Sequence, residues 1–435
     1  MSAAPVEGLS IYDRLRRSDE ELSALLADGT ARRELSAVFG AAEYAVLAAL
    51  ARKAQRVAKR HPEPVYVLPG IMGTQLGALR ATPTPADLLW LDPQDVILGG
   101  LERLRLPDTA QLRPLGAIPY SYLPLQLRLR AAGYTVVMHE YDWRCDLGGV
   151  AQALSARLCA EPAPSVAIIA HSMGGLIART AMRLAGFERV RRLVTLGVPH
   201  VGSFGAVQAI RGTYPVVRRL AALDRHHDAE SLATRVFSTF PSIHQLLPAK
   251  ALSPGTDLFE SASWPRSGPQ PVHELLREAR AFVAALPPCD PRCIAISGTH
   301  QRTVVGLRLA DDDFHYEITD EGDGTVPLAS AQLAGCDNYY VRCEHSELPR
   351  SVSVASALVE LLRHGRTTRL SARPGAPLGR HVTVSDGQLR STWNEKVDWA
   401  SMGPAAHRAY LNRLNQPPPH YAARRARRRA PIPKA

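Results

Sequence analysis

The run Val166–Gly175, reading VAIIAHSMGG, constrains this chain more than any other stretch. Mostly β-branched apolar residues lead straight into a serine between small residues, and a helix-compatible segment, Leu176 to Leu184, follows at once. A buried strand that turns abruptly into a helix leaves Ser172 at the tip of a tight, strained turn with its hydroxyl exposed, which is the layout of a nucleophile elbow. The flanking positions must be small because two backbones crowd there. Where the usual pattern is G-x-S-x-G, Ala170 replaces the first glycine, which a crowded position accepts if its φ is negative. A serine between small residues is also common in ordinary turns, so the meaning of this one depends on what the rest of the chain supplies.

Around the elbow, strand and helix signals alternate. Val65–Gly70 reads as a buried strand followed by a glycine-rich turn, Gly70–Gly77. A helix from Tyr120 to Ala132 ends at Gly133, a strand follows from Tyr134 to Arg144, and Leu147–Cys159 is a second helix. After the elbow helix come a strand from Arg191 and the turn at Gly197–Ser203. Such alternation implies a mostly parallel sheet with right-handed crossovers and helices on both faces. The rhythm lapses between residues 204 and 285, where helical segments are joined by Phe240-Pro, Leu247-Pro and Trp264-Pro; an insertion of this size after a sheet strand is a natural cap or lid. It resumes with the strand from Cys293, the turn Glu321–Pro327, a strand from Asn338 to Cys343 and a helix from Val352 to Arg363.

The expected organisation is therefore a helical N-terminal extension (1–60), a core in two halves (61–203 and 286–365) split by the cap (204–285), a small C-terminal extension (366–416) and a basic tail (417–435). Within the first extension, Ser18 caps one helix and Arg32–Arg60 forms another. Within the C-terminal extension, His381–Arg390 reads as a hairpin turning at Asp386-Gly387, followed by a helix near Ala405–Leu414.

Composition narrows the class. With 46% hydrophobic and 21% charged residues, a substantial packed core is expected. The formal charge is +11, but Arg424, Arg425, Arg427, Arg428, Arg429 and Lys434 supply six of those charges in the last twelve residues, which contain no acid. No apolar run approaches the roughly 20 residues that span a bilayer, and the N-terminus lacks the pattern of a secretory signal, so cytoplasmic residence is the default expectation. Six scattered cysteines do not resemble a disulfide framework. Cys289 and Cys293 form a lone C-x₃-C, read as two reduced thiols and not a metal site. No metal or cofactor is expected.

A serine hydroxyl is a poor nucleophile without a base and an orienting acid. In the α/β-hydrolase arrangement these follow in the order Ser, Asp or Glu, His, each from a loop after a later strand. Asp323, in a G-D-G turn, and His345, at the end of the last strand, fit that order. Asp311, Asp312, Asp313, Asp320 and Glu321 compete for the acid, and His171 and His200 for the base; position after the last strand favours His345. The turn at Gly70 either presents N–H groups to an anion or is only a tight turn.

Five segments in order, Val67-Leu-Pro-Gly-Ile-Met-Gly-Thr, Tyr141-Asp-Trp-Arg, Ala170-His-Ser-Met-Gly-Gly, Gly197-Val-Pro-His-Val-Gly-Ser and Gly322-Asp-Gly-Thr-Val-Pro, ending in His345, resemble the lecithin:cholesterol acyltransferase-like family of α/β-hydrolase lipases and acyltransferases over residues 62–365. The resemblance implies an α/β-hydrolase fold and a triad of Ser172, Asp323 and His345. It further implies an oxyanion hole from the backbone N–H groups of Ile71 and Met173, a cap over an acyl-binding cleft, and Trp90 as a lid-side, substrate-binding tryptophan. The expected activity is that of a lipase, phospholipase or O-acyltransferase working through a covalent acyl-enzyme on a lipid ester. The alternative is a non-catalytic binder of anionic membrane or nucleic acid that uses the basic tail, with Arg424–Arg429 touching a membrane peripherally. The tail reads first as solvated chain and nucleic acid as the weaker partner.

Overall fold

The computed structural model of the protein describes residues 18–59, 61–79, 87–288, 290–391 and 396–416. The chain begins with α1 (Asp19–Asp28), α2 (Arg32–Phe39) and α3 (Ala41–Arg56). Ser18 and Glu21 close a reciprocal capping box on α1. The continuous helix expected from Arg32 is broken at Gly40, whose φ of 86° turns α3 away from α2 by 120°. A left-handed backbone at that position suits glycine and interrupts the helix ladder.

Six strands form the central sheet in the order β11 (Asp337–Val341), β8 (Cys293–Gly298), β7 (Val190–Leu196), β6 (Val166–His171), β1 (Val65–Leu68) and β5 (Val136–Met138). Every pair in it is parallel. β1, β6 and β8 are buried along their whole length, as their unbroken apolar runs require of strands covered on both faces.

Alternate residues of these strands feed two cores. Tyr66, Leu68, Ile168 and Ala170 pack with α5 (Leu147–Ala160) and α6 (Met173–Ala181). Val65, Val67, Ala167 and Ile169 pack with α4 (Pro119–Ala131) and α12 (Val352–His364). This is an α/β-hydrolase-like architecture, a parallel sheet with helices on both faces. On its outer side α4 offers Leu123 and Leu127 to Leu35, Phe39, Tyr44 and Leu47 of the N-terminal helices. Among the described residues no single helix is long and apolar enough to cross a membrane, although α2 and α3 together would pass by length and composition.

Between β7 and β8 the chain forms α7 (Phe204–Ile210), α8 (Pro215–Leu223), α9 (Ala229–Arg235), α10 (Pro241–Gln245) and α11 (His273–Ala285). Two small antiparallel sheets flank the main one: β3 (Asp87–Trp90), β2 (Thr74–Ala78) and β4 (Arg113–Ala117), and β12 (Val382–Ser385), β10 (Asp313–Thr319) and β9 (Thr303–Ala310). The second corrects the expected hairpin at His381–Arg390. β12 pairs with β10, and Asp386-Gly387 opens a short helix, Asp386–Ser391, because the Asp386 carboxylate is drawn into a buried pair with Arg211 instead of turning a loop. The hairpin lies at β9–β10, turning through Asp311 and Asp312, both at positive φ as a two-residue primed turn requires. The strand expected over Tyr134–Arg144 is cut to Val136–Met138. The last described helix is α13 (Pro404–Asn412).

Cys145, Cys159, Cys293 and Cys343 are free thiols, whereas Cys336 is disulfide-bonded. Cys293 therefore does not pair with Cys289, which lies outside the described residues. The basic tail, Arg424, Arg425, Arg427, Arg428 and Arg429 included, also lies outside them. Among the described residues no cluster of His, Cys, Asp or Glu could hold a metal ion.

Candidate active site

In the sheet order, β1 lies between β5 and β6, so the connections leaving β1 and β6 run in opposite directions. Such a reversal opens a crevice at the carboxyl ends of the two strands. The Gly70 loop leaves β1 there, and Ser172 ends β6 there.

Ser172 has φ 53° and ψ −129°, a conformation a non-glycine residue holds only when its surroundings enforce it. The surroundings do. The Ser172 N–H donates to the Leu196 carbonyl at 2.9 Å, and the Ser172 carbonyl accepts from Gly175 N–H at 2.9 Å. A methyl group on Gly174 would meet the Pro69 carbonyl at 2.5 Å, and one on Gly175 the Val198 side chain at 2.2 Å. Ala170 sits within β6 with extended backbone and needs no glycine.

His345 Nε2 lies 2.9 Å from Ser172 Oγ, and His345 Nδ1 lies 2.7 Å from Asp323 Oδ2. Asp323 is buried, and its other oxygen accepts from the N–H groups of Thr325 (3.0 Å) and Val326 (2.7 Å). A carboxylate held this way keeps the Nδ1–H tautomer of His345, leaving Nε2 free to take the serine proton. Close approach demands glycine twice around it: a methyl group on Gly298 would meet Asp323 Cβ at 2.6 Å, and one on Gly197 would meet Asp323 Oδ2 at 2.9 Å.

Three of the five competing carboxylates, and both competing histidines, are engaged or buried elsewhere. Asp320 accepts from Leu378 N–H, Asp312 from the N–H groups of Arg266 and Ser267, and Asp313 from Gly387 N–H. His200 is buried beside Arg179, and burial pulls its pKa from 6.5 to about 3. His171 points away from the Ser172 hydroxyl. Its Nε2–H donates to the His345 carbonyl at 3.1 Å, while its Nδ1 accepts from the Tyr122 hydroxyl at 2.9 Å, and burial brings its pKa to about 3. Neutral His171 thus ties the His345 loop to Tyr122, whose oxygen also accepts the Gly70 N–H at 2.8 Å.

Facing the serine, the loop after β1 has its carbonyls pinned by outside donors. Tyr141 Oη donates to Pro69, Trp90 Nε1 to Met72 at 2.9 Å, Trp143 Nε1 to Thr74 at 3.0 Å and Ile118 N–H to Gly73 at 2.9 Å. Among the described residues, the N–H groups of Ile71 and Met173 donate to no backbone carbonyl. Ile71 lines the cavity, and Met173 directly follows Ser172 at the start of α6. Trp90, given by the resemblance as a lid-side, substrate-binding residue, borders the same cavity as Ser172. It is buried at the end of β3, touches Trp143 edge-on at 5.1 Å and lines the cavity from the core side.

Sequence reasoning missed Tyr122, and no local signal marks it: PYSYLPL reads only as an apolar helix start. Tyr141, Trp143 and Arg144 were legible as a motif but not as to purpose. Arg144 is fully buried and paired with Asp108 and Asp142, which anchors the segment that carries Tyr141 and Trp143.

Ser172 and His345 open onto a cavity of about 510 Å³ whose lining is mostly apolar and, among the described residues, includes no Asp or Glu. A family model described as PGAP1-like alpha/beta domain matches residues 154–236, from the end of α5 through the elbow to α9. It describes another α/β-hydrolase family than the one the motifs resemble, and the match covers well under half of the chain. No curated protein matches. Among solved structures, the chain is similar to the protein of a Tle4–Tli4 complex, at 16% identity over 68% of this chain and 97% of that one, with a TM-score of 0.42. It is similar to the mature Bacillus licheniformis lipase BlEst2 at 12% identity over 72% and 95% of the two chains, with a TM-score of 0.36. Aspergillus fumigatus lipase B aligns at 12% identity over 82% of this chain and 62% of that chain, with a TM-score of 0.35.

Proposed function

We propose that the protein is a serine-dependent enzyme acting on acyl esters of lipids. The observation that carries this reading is the hydrogen-bonded series Ser172, His345 and Asp323 at the wall of a mostly apolar cavity that, among the described residues, no carboxylate lines. His345 takes the Ser172 proton as the oxygen attacks the ester carbonyl. Negative charge that develops on the carbonyl oxygen is met by the N–H groups of Ile71 and Met173. His345 then returns the proton to the departing alcohol, leaving the acyl group on Ser172 Oγ. Water or an alcohol, deprotonated by the same histidine, takes the acyl group in the second half. Motif resemblance to the lecithin:cholesterol acyltransferase-like family supports a lipid as the acyl donor. The disulfide at Cys336 speaks for an oxidising compartment over the cytoplasm expected from the N-terminal sequence.

The test is covalent labelling with a serine-reactive alkyl phosphonate, read by mass spectrometry, beside product analysis on phospholipids and acylglycerols with and without an added alcohol. Label on Ser172 and ester cleavage, both abolished by Ser172→Ala in a protein of unchanged thermal midpoint, are expected. Turnover that survives Ser172→Ala would sink the assignment.

A further inference from the structure

The cavity does not end within the hydrolase core. Its distal wall is built by the two parts of the chain that lie outside the motif-bearing region: α2, through Leu35, Val38 and Phe39, and the α13 segment, through Leu411 and Leu414. The two meet directly across 371 positions of sequence, Arg408 Nη1 donating to the Ala37 carbonyl at 2.7 Å. The α13 segment is held on its other side by the insertion. Tyr410 Oη donates to the Arg219 carbonyl at 2.7 Å, and Arg219 Nη1 donates back to the carbonyls of Leu414 (2.7 Å) and Gln416 (2.8 Å). Upstream, Lys396 Nζ donates to the carbonyls of Ala221, Asp224 and His227 at the end of α8. The C-terminal extension is thus a strap from the helical insertion to the N-terminal helices, laid across the cavity that Ser172 faces.

Resting on the Ser172 reading above, we infer that the space between α2 and α13 is the acyl-chain subsite, and that the two terminal extensions set the chain length the enzyme accepts. The chemistry of the walls argues for a hydrocarbon chain. Leu35, Val38 and Phe39 line one side and Leu411 and Leu414 the other, beside His407, Asn412 and Asn415; among the described residues no carboxylate lines the space, and the guanidinium of Arg408 is engaged with a backbone carbonyl. Each methylene that moves from water into such a space raises affinity about fourfold. A pocket continuous with the reacting serine therefore converts chain length into selectivity, up to the point where the wall stops the chain.

The experiment uses the full chain and two variants that fill the space from opposite walls, Leu411→Trp and Ala37→Phe. The first readout is the ratio of kcat/KM for hexadecanoyl over butanoyl p-nitrophenyl esters. The second is displacement of a fluorescent fatty acid by hexadecanoate, measured in a Ser172→Ala background so that turnover plays no part. Each substitution is expected to lower the ratio and the hexadecanoate affinity at least tenfold. A ratio and an affinity within twofold of the parent, in variants with the parent's thermal midpoint, would overturn the subsite. Should no ester be cleaved and no phosphonate attach to Ser172, the catalytic reading falls, and fatty-acid binding still decides the subsite: saturable hexadecanoate binding weakened by both substitutions upholds it, and binding that is absent or indifferent to them overturns it.

Discussion

Asp320 and Asp323 are three residues apart and both buried, yet only one reaches His345. The difference is the turn. Gly322 and Gly324 let the chain fold Asp323 back under Thr303 and Val326, where a methyl group on Gly322 would meet Thr303 Oγ1 at 2.5 Å, and Gly324 takes φ 93°. Asp320 instead spends an oxygen on Leu378 N–H at 2.6 Å. Replacing Asp323 with Asn should lower kcat on the order of 10⁴-fold, because the amide no longer fixes the productive tautomer of His345. Asp320→Asn should leave kcat within about an order of magnitude, since its carboxylate serves the Leu378 N–H and the charge of Arg302 and not His345. Steady-state kinetics on one ester decides the pair, and the opposite ranking would mean that the acid is misassigned.

At the scale of elements, the helical insertion is fastened to the C-terminal extension by charges that water does not reach. Arg211, at the end of α7, and Asp386, after β12, are both fully buried, and Arg211 Nε donates to Asp386 Oδ2 at 2.8 Å. Thr213 Oγ1 and Tyr316 Oη donate to the other carboxylate oxygen at 3.0 and 2.7 Å. Burial holds the Asp386 carboxyl above its usual range, and Arg211 offsets only part of that rise. Removing one partner of such a pair strands the other charge in the interior, so Asp386→Ala should lower unfolding free energy by about 3–5 kcal/mol. Urea titration would show this as a lower midpoint with an unchanged slope. A loss under about 1 kcal/mol would mean that the pair contributes little to holding the elements together.

The whole molecule carries a pH dependence set by histidines it keeps neutral. Burial is the leading cause in each: His171 and His200 fall from 6.5 to about 3, and His139 and His244 to about 4. Between those values and 6.5 the unfolded chain binds protons that the folded chain refuses, so stability rises with pH across that window. Their contribution is complete above about 6.5 and is lost as pH falls toward 4, at about 1.4 kcal/mol for every tenfold by which burial weakens proton binding. The urea midpoint should therefore drop steeply between pH 6.5 and 4.5 and stay nearly level between pH 7 and 8. A flat profile through the acidic window would show that these side chains are solvated in the folded state.

The alternation of apolar strands with helical segments, the small residues around Ser172 and the order in which Ser172, Asp323 and His345 follow are all written in the sequence. They are local or one-dimensional requirements: a doubly covered strand must be apolar throughout, and a crowded turn must be glycine or alanine. Periodicity also located α4, α5 and, within the insertion, α7, α8, α9 and α11 to within a few residues, but not the five-residue α10. It failed where a distant partner outweighed local chemistry. Asp386-Gly387 has the composition of a hairpin turn, but Arg211, 175 residues away in sequence, claims the aspartate. Only the tertiary structure placed the Gly70 loop beside Ser172, because strand order fixes which loops share a crevice. It alone set Tyr122, Tyr141, Trp90 and Trp143 as the donors and acceptors that hold that loop. It also brought α2 and α13 together over the cavity, a contact between the two ends of the chain that no spacing rule encodes.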